Sequence, residues 1–155
     1  MLDAALKPNV SEELPFPYNK RTFCRYEPIE KGIDHARVLI VSCLLRYESD
    51  MSDLARKEWA DSIESKLRFE RFVGGLACDN IARNVQRLVK QPKTLTVHLS
   101  EIADAVRDFK PDAIVMSGTY QDFDYYDPGH IEAFRSFITA NRIPVLAICG
   151  SHQLV

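Results

Sequence analysis

The sequence predicts an α/β fold, in which helices cover both faces of a parallel β-sheet. Three continuous apolar runs, typical of strands buried on both sides, lie at residues 36–45, 112–118 and 143–148, and a weaker run lies at 94–99. Helical patterns separate these runs, and such alternation favours parallel strands joined by right-handed crossovers. Functional sites in such sheets lie at the carboxyl ends of the strands.

Two helices are predicted between the first two strands. Ser52 can cap the first one, whose buried stripe recurs every four residues at Ala55, Trp59, Ile63 and Leu67. The pair Gly74–Gly75 predicts a break in this helical pattern. A second helix is expected from Cys78 to Val89, and Pro92 is expected to end it.

One helix is predicted in each of the two later connections. Ser100 is expected to cap a short helix that ends at Pro111. Asp127 and Pro128 combine a capping acid with proline at the first helical position. The helix that they start has an apolar face formed by Ile131, Phe134, Phe137 and Ile138.

The chain divides into an N-terminal extension, residues 1–35, and one domain, residues 36–155. The extension interleaves four prolines with aromatic residues: Phe16, Tyr18, Phe23 and Tyr26. Proline disfavours regular elements, and the aromatic content predicts a strap laid over the domain. A disordered arm is the alternative.

Length and charge restrict the class of function. The chain has 155 residues, a single-domain length, and its 20 basic and 22 acidic residues give a net charge of −2. This charge gives no reason to expect a nucleic acid or an anionic membrane as partner. The apolar runs are too short to span a bilayer and the N-terminus lacks a secretory pattern, so a cytoplasmic protein is expected.

The four cysteines are widely scattered along the sequence. No C-x-x-C pair or finger-like histidine spacing occurs, so we expect no zinc site. Without an export signal, disulfides are not expected. Cys43 and Cys78 are expected to be small core residues and Cys24 a loop thiol, which leaves Cys149 as the candidate for chemistry.

Cys149 lies where the last apolar run ends abruptly. Small residues, Gly150 and Ser151, follow at once, and then a helix start. This is the pattern of a nucleophile elbow, a tight strand-to-helix turn that exposes one side chain at the sheet edge. The helix N-terminus favours a thiolate. The backbone N–H of Gly150, and one from the turn Ser117-Gly118-Thr119, are candidate donors to an oxyanion.

These residues resemble the class I (triad-type) glutamine amidotransferase family. Residues 144–154, Pro-Val-Leu-Ala-Ile-Cys-Gly-Ser-His-Gln-Leu, are similar to that family's Pro-Val-Leu-Gly-Ile-Cys, any residue, Gly-His-Gln-Leu. Upstream, residues 112–118 resemble the strand that enters the family's Ser-Gly-Gly-Pro turn. The similarity covers residues 36–155, and it implies a flavodoxin-like parallel sheet, here incomplete at its C-terminal end.

The resemblance implies hydrolysis of the glutamine side-chain amide through a thioester on Cys149. Thr119 and Gly150 would form the oxyanion hole, and Gly118 and Gln153 would contact the substrate glutamine. The ammonia would pass to a synthase domain or subunit. No cofactor or metal takes part in this chemistry.

The sequence departs from the family pattern in the elbow and in the base. Ala147 and Ser151 stand where the family has glycine, and Thr119 and Tyr120 replace the second Gly and the Pro of its oxyanion turn. No His-x-Glu pair, the family's base and its partner, occurs in the sequence. The chain is therefore expected to be the N-terminal part of a longer protein and to be inactive alone.

None of the four histidines fits the role of the missing base from its position in the sequence. His98 is expected at the surface. The alternative is a position near the site, because His98 ends the second strand at the same sheet edge. His152 is expected to point into the packing. His35 and His130 are expected to be solvated.

Two other functional classes remain open from the residues alone. The intracellular-protease and stress-chaperone branch of the same superfamily has histidine directly after the cysteine, where this chain has Gly150. A non-catalytic α/β binding module, with a merely buried cysteine, is the second alternative. The acidic, aromatic run at residues 122–127 is interpreted as a packed polar loop rather than as a site that selects a substrate or partner.

Overall fold

The computed structural model describes residues 32–155, and its centre is one parallel sheet. The strands are β1 (Ile33–Ser42), β2 (Val89–His98), β3 (Ala113–Met116) and β4 (Val145–Ala147). All three pairings are parallel, and the spatial order is β2-β1-β3-β4. This is the order of the first four strands of flavodoxin-like sheets, so the predicted α/β class is confirmed.

Four helices connect these strands within the described residues. They are α1 (Asp53–Glu58), α2 (Ile63–Leu88), α3 (Ile102–Phe109) and α4 (Pro128–Ala140). Short 3₁₀ turns lie at Glu48–Asp50, Leu99–Glu101, Phe123–Tyr125 and Cys149–Leu154. None of the helices described in residues 32–155 has the length and apolar character needed to cross a membrane.

The alternating side chains of β1 divide the core between the two faces of the sheet. Val38 and Ile40 pack with the buried side of α2, formed by Cys78, Ile81 and Val85. Leu39 and Val41 belong to a second cluster, which includes Ile102 of α3 and two residues of α4, Ile131 and Phe134. Neighbouring residues of a strand face opposite sides, so helices cover both faces, as predicted.

The predicted helix break at Gly74–Gly75 is wrong. Helix α2 continues through both glycines, and the chain turns earlier, between α1 and α2 at residues 59–62. A Cβ atom at Gly74 would lie 3.3 Å from Ser42 Oγ and 3.5 Å from Leu44 Cβ, whereas one at Gly75 would meet nothing within 4 Å. Gly74 therefore allows α2 to approach the end of β1 closely, and the pair does not interrupt the helix.

Pro92 does not end a helix but lies inside β2, so this prediction is also wrong. Helix α2 ends at Leu88, and β2 begins at once. Because β2 is an edge strand, a proline is tolerated where its missing N–H faces away from the neighbouring strand. Strand β2 is consequently longer than the predicted segment, residues 94–99.

The first strand lies earlier in the chain than predicted. It covers Ile33–Ser42 rather than residues 36–45, so residues 33–35 are part of the sheet and not of an extension. The apolar residues Cys43, Leu44 and Leu45 are buried just after the last paired residue of β1. This explains why the apolar run in the sequence extends beyond the end of the strand. The predicted aromatic strap falls almost entirely on residues 1–31, outside the described residues.

Two of the three predicted helix caps are present. Ser52 Oγ accepts a hydrogen bond from Ala55 N at 3.2 Å, and Asp127 Oδ1 accepts one from His130 N at 3.0 Å. Ser100 does not cap α3. Instead its own backbone N–H donates to His98 Nδ1 at 3.2 Å, because a 3₁₀ turn comes between β2 and α3.

Candidate functional site

Strand β4 ends in a cysteine with a strained backbone. Ile148 is extended, and Cys149 then has φ 58°, one of two positive values among the described non-glycine residues. This left-handed conformation costs a residue with a Cβ atom about 1–2 kcal/mol. The Cys149 side chain is exposed. A strained turn that exposes a nucleophilic side chain at the carboxyl end of a parallel strand is the geometry of a nucleophile elbow.

Hydrogen bonds on both sides hold the turn at Cys149. Ile148 N donates to Met116 O of β3 at 3.2 Å, which prolongs the pairing of the two strands up to the cysteine. The fully buried Ser151 donates from Oγ to Ile148 O at 2.8 Å. Ser151 occupies a position where the family that the sequence resembles has glycine. Here its hydroxyl stabilises the turn through this hydrogen bond.

The turn after β3 lies directly against the elbow. A Cβ atom at Gly118 would lie 3.1 Å from Cys149 Cβ and 3.6 Å from its Sγ, so glycine leaves the space that the thiol needs. A Cβ atom at Gly150 would overlap the side chain of Thr119. The structure thus brings four of the five predicted site residues together: Gly118, Thr119, Cys149 and Gly150.

The fifth predicted residue, Gln153, lies in the 3₁₀ turn Cys149–Leu154 and is exposed. His152 beside it is exposed as well, so the prediction that it points into the packing is wrong. The tight turn instead buries Ser151 and Leu154, three residues apart, because a 3₁₀ helix has three residues per turn.

The other described cysteines differ from Cys149 in exposure. Cys43 and Cys78 are buried, as predicted. Burial raises the pKa of the Cys43 thiol to about 12 and also raises the pKa of Cys78, because a thiolate is poorly solvated in the core. Of the cysteines within residues 32–155, Cys149 alone offers an accessible thiol. Cys24 lies outside the described residues.

His98 is buried, which corrects the prediction of a surface histidine. Its side chain is 1% exposed. The ring nitrogens lie 3.0 Å from Leu44 O and 2.9 Å from Ser100 Oγ. Burial lowers the pKa of His98 to about 4. Both nitrogens are therefore engaged, and the ring is not free to take a proton from a thiol.

A buried carboxylate, Asp50, organises the loop after β1. Its Oδ2 accepts hydrogen bonds from Arg46 N at 2.9 Å and Tyr47 N at 3.1 Å. His130 Nδ1 lies 3.7 Å from Asp50 Oδ1, and His130 is partly buried rather than solvated as predicted. No sequence pattern predicts this cluster, because an aspartate in a polar loop is expected to be solvated unless a distant helix, here α4, packs over it.

Glu70 on α2 is a second buried carboxylate that sequence reasoning missed. Its Oε2 accepts from Leu45 N at 3.3 Å, and its Oε1 accepts from Gln121 Nε2 at 3.1 Å. Burial raises its pKa above the usual value, because the charged form loses solvation. The sequence contains a signal for this burial, because Glu70 lies within the buried helical stripe of α2. The other members of the stripe are Leu67, Gly74, Cys78, Ile81 and Val85.

The loop at residues 122–127 is packed, in agreement with its interpretation from the sequence. The ring of Tyr125 stacks on Trp59 with centroids 4.9 Å apart. Tyr126 is buried and donates from its hydroxyl to Cys43 O at 2.6 Å. Tyr126 therefore ties the loop to the chain just beyond β1, and Tyr125 packs it against the end of α1.

The described side chains around the elbow offer neither a metal site nor a base bonded to the thiol. Within residues 32–155 no group of three or more His, Cys, Asp or Glu side chains is placed to hold a metal ion. None of the described histidines forms a hydrogen bond with the Cys149 thiol.

In comparisons with known proteins, no family model matches the chain, and no curated protein or solved structure matches it either.

Proposed function

We propose that this chain carries the nucleophile and the oxyanion turn of a class I glutamine amidotransferase, which hydrolyses the side-chain amide of glutamine. One observation carries the proposal: the exposed, positive-φ Cys149 lies against Gly118, while Thr119 packs against Gly150. A nucleophile and two candidate N–H donors are thereby gathered at one point of the sheet edge.

The proposed reaction follows the usual order of acyl transfer through a thiolate. The Cys149 sulfur attacks the amide carbon, so an S–C bond forms and the carbonyl electron pair moves to oxygen. The N–H groups of Thr119 and Gly150 donate to this oxyanion. The C–N bond then breaks, the nitrogen takes a proton and leaves as ammonia. Water hydrolyses the thioester to glutamate and restores the thiol.

None of the histidines within residues 32–155 is hydrogen-bonded to the Cys149 thiol in this structure. His98 is committed to Leu44 and Ser100, and the sequence contains no His-x-Glu pair. The proposal therefore assigns only the nucleophile and the oxyanion donors to these residues. The acceptor of the ammonia is a synthase domain or subunit. We place the protein in the cytoplasm, where the free thiol stays reduced.

A chloroketone analogue of glutamine tests this proposal. The reagent presents a carbonyl and a reactive carbon at the position of the side-chain amide, so its binding places that carbon near the nucleophile. We expect saturable alkylation of Cys149, slowed by free L-glutamine. Peptide mapping by mass spectrometry separates this label from the label on Cys24, Cys43 and Cys78. The chloroketone of the shorter asparagine side chain is the matched control and should react without saturation.

The opposite outcome points to one of the alternatives. If both chloroketones label Cys149 at equal rates and L-glutamine gives no protection, the site does not recognise glutamine. Labelling of Cys149 no faster than that of the buried Cys43 and Cys78 would contradict every catalytic role for it. A non-catalytic binding module would then be the better description.

A further inference from the structure

The buried carboxylate of Glu70 is tied to the loop that contains the proposed oxyanion turn. We propose that Glu70 is a positioning residue, which through Gln121 holds the turn Gly118–Thr119 against Cys149. The chemical consequence rests on the proposed function, whereas the placement of the turn rests on geometry alone.

Glu70 connects two loops at the carboxyl edge of the sheet. Its residue is 1% exposed. One oxygen accepts from the backbone N–H of Leu45, in the loop after β1, at 3.3 Å. The other accepts from the side-chain amide of Gln121, two residues after Thr119, at 3.1 Å. Each carboxylate oxygen therefore fixes one loop, and the helix α2 is the rigid support for both.

A neighbouring contact supports the same placement. Phe69, next to Glu70 on α2, packs edge-on against Tyr120 with ring centroids 5.2 Å apart. Two consecutive residues of α2 thus hold two consecutive residues of the loop. Since Tyr120 and Gln121 directly follow Thr119, this contact fixes the outgoing side of the turn.

The incoming side of the turn is fixed separately, by Ser117. Its backbone N–H donates to Val41 O at 2.9 Å, and its Oγ accepts from Cys43 N at 2.9 Å. The Gly118–Thr119 segment is therefore held at its start by hydrogen bonds to β1 and the residues just after it, and at its end by contacts with α2. Release of the second anchor should let Thr119 move away from Gly150.

The carboxylate is not explained by stability alone. Its raised pKa shows that the charged form is disfavoured at this position. An apolar side chain in the buried stripe of α2 would avoid that desolvation, and such replacements of buried charges are often neutral or stabilising. What Glu70 adds, and an apolar residue would not, is the pair of hydrogen bonds to Leu45 and Gln121.

The test compares two reactions of the same thiolate. Acylation of Cys149 by p-nitrophenyl acetate passes through a tetrahedral oxyanion, whereas alkylation by iodoacetamide does not. Both reactions consume the thiolate, so the ratio of their rates cancels its ionisation and its exposure. The ratio reports how well the oxyanion turn is placed, and mass-spectrometric mapping restricts the measurement to Cys149.

Gln121→Glu should lower the ratio on the order of tenfold, since misplaced donors cost about that much or more. The new carboxylate would face Glu70, and like charges would push the loop away. The fall should shrink at acidic pH, where the pair can share a proton. Gln86→Glu is the matched control: it adds the same charge at an exposed site of α2 and should leave the ratio unchanged.

The double variant Glu70→Gln with Gln121→Glu should restore the ratio. The amide at position 70 would accept from Leu45 N and donate to the carboxylate at position 121, which reverses the original pair. If Gln121→Glu does not fold, Gln121→Leu removes the hydrogen bond without adding charge and should lower the ratio in the same direction. An unchanged ratio in the folded single variants, or no recovery in the folded double variant, would overturn the proposal.

The two proposals fail in different ways. If the glutamine chloroketone shows no selectivity but the ratio falls and recovers as described, Glu70 positions the turn and the glutaminase assignment is wrong. If the chloroketone is selective for the glutamine side chain but Gln121→Glu leaves the ratio of acylation to alkylation unchanged, the glutaminase assignment stands. Glu70 then has only a structural role.

Discussion

At Cys149 the backbone holds a residue with a Cβ atom in a conformation that glycine adopts without strain. Its φ of 58° follows an extended strand, and the turn is held by Ser151 on one side and Met116 on the other. Strain of this kind concentrates at functional sites, where surrounding contacts maintain it. The strained residue is also the exposed thiol, which links the backbone geometry to the proposed chemistry.

Relief of this strain can be measured as a gain in stability. Cys149→Gly should raise the free energy of unfolding by about 1 kcal/mol, because glycine adopts positive φ at no steric cost. Cys149→Ala removes the same thiol but keeps the Cβ atom, and should leave stability nearly unchanged. Urea denaturation of both variants gives the comparison. Equal stabilities would show that the elbow is not strained in solution.

The helix α2 shows how one element positions the site. Its 26 residues pack along the sheet, bring Gly74 against the end of β1 and present Glu70 to the loops at the carboxyl edge. The close approach at Gly74 and the hydrogen bonds of Glu70 lie one turn apart on the same buried side. The helix therefore acts as the support on which the loop after β3 rests.

The two adjacent glycines of α2 should respond differently to alanine. Gly75→Ala should raise the free energy of unfolding by about 0.5–1 kcal/mol, since the position is exposed and alanine favours a helix. Gly74→Ala should give no such gain, because its methyl group would lie 3.3 Å from Ser42 Oγ and 3.5 Å from Leu44 Cβ. Thermal or urea denaturation checks both. An equal gain at the two positions would mean that α2 does not approach β1 so closely.

Over the whole molecule, the buried polar groups at the sheet edge should make stability depend on pH. His98 has a pKa lowered from 6.5 to about 4 in the folded chain, so the unfolded chain binds the proton more tightly. The contribution of His98 to stability is therefore complete above the unfolded pKa and is lost as the pH drops towards 4. The loss is on the order of 3 kcal/mol, from 1.36 kcal/mol per pH unit.

The variant His98→Asn isolates this contribution. Urea denaturation between pH 7 and pH 4 should show a shallower loss of stability in the variant than in the native chain, because carboxylates remote from position 98 titrate in both and cancel in the difference. Parallel pH curves for the two chains would show that His98 is not held neutral in the fold.

The succession of strands and helices along the chain, and a tight turn at Cys149, could be predicted because their signals are local. Apolar runs, helix caps and the small residues after Cys149 each report on a few neighbours in sequence, and the sheet edge follows from parallel topology. The burial of His98, Asp50 and Glu70 depends on helices placed over loops that are distant in sequence. The predictions at Gly74 and Pro92 were wrong for the same reason. The close approach of a helix to a strand, and the position of a strand at the sheet edge, depend on the tertiary structure.

The proposed attack of the Cys149 sulfur on a γ-glutamyl carbonyl would leave a thioester, which can be trapped. A γ-glutamyl nitrophenyl ester suits this chain, because its leaving group departs as a stable anion and needs no proton from a base. After incubation with the ester, mass spectrometry should find the γ-glutamyl group on Cys149 of the native chain and at no cysteine in Cys149→Ala. No adduct, or an adduct spread over Cys24, Cys43 and Cys78 as well, would show that Cys149 is not the nucleophile of a glutaminase.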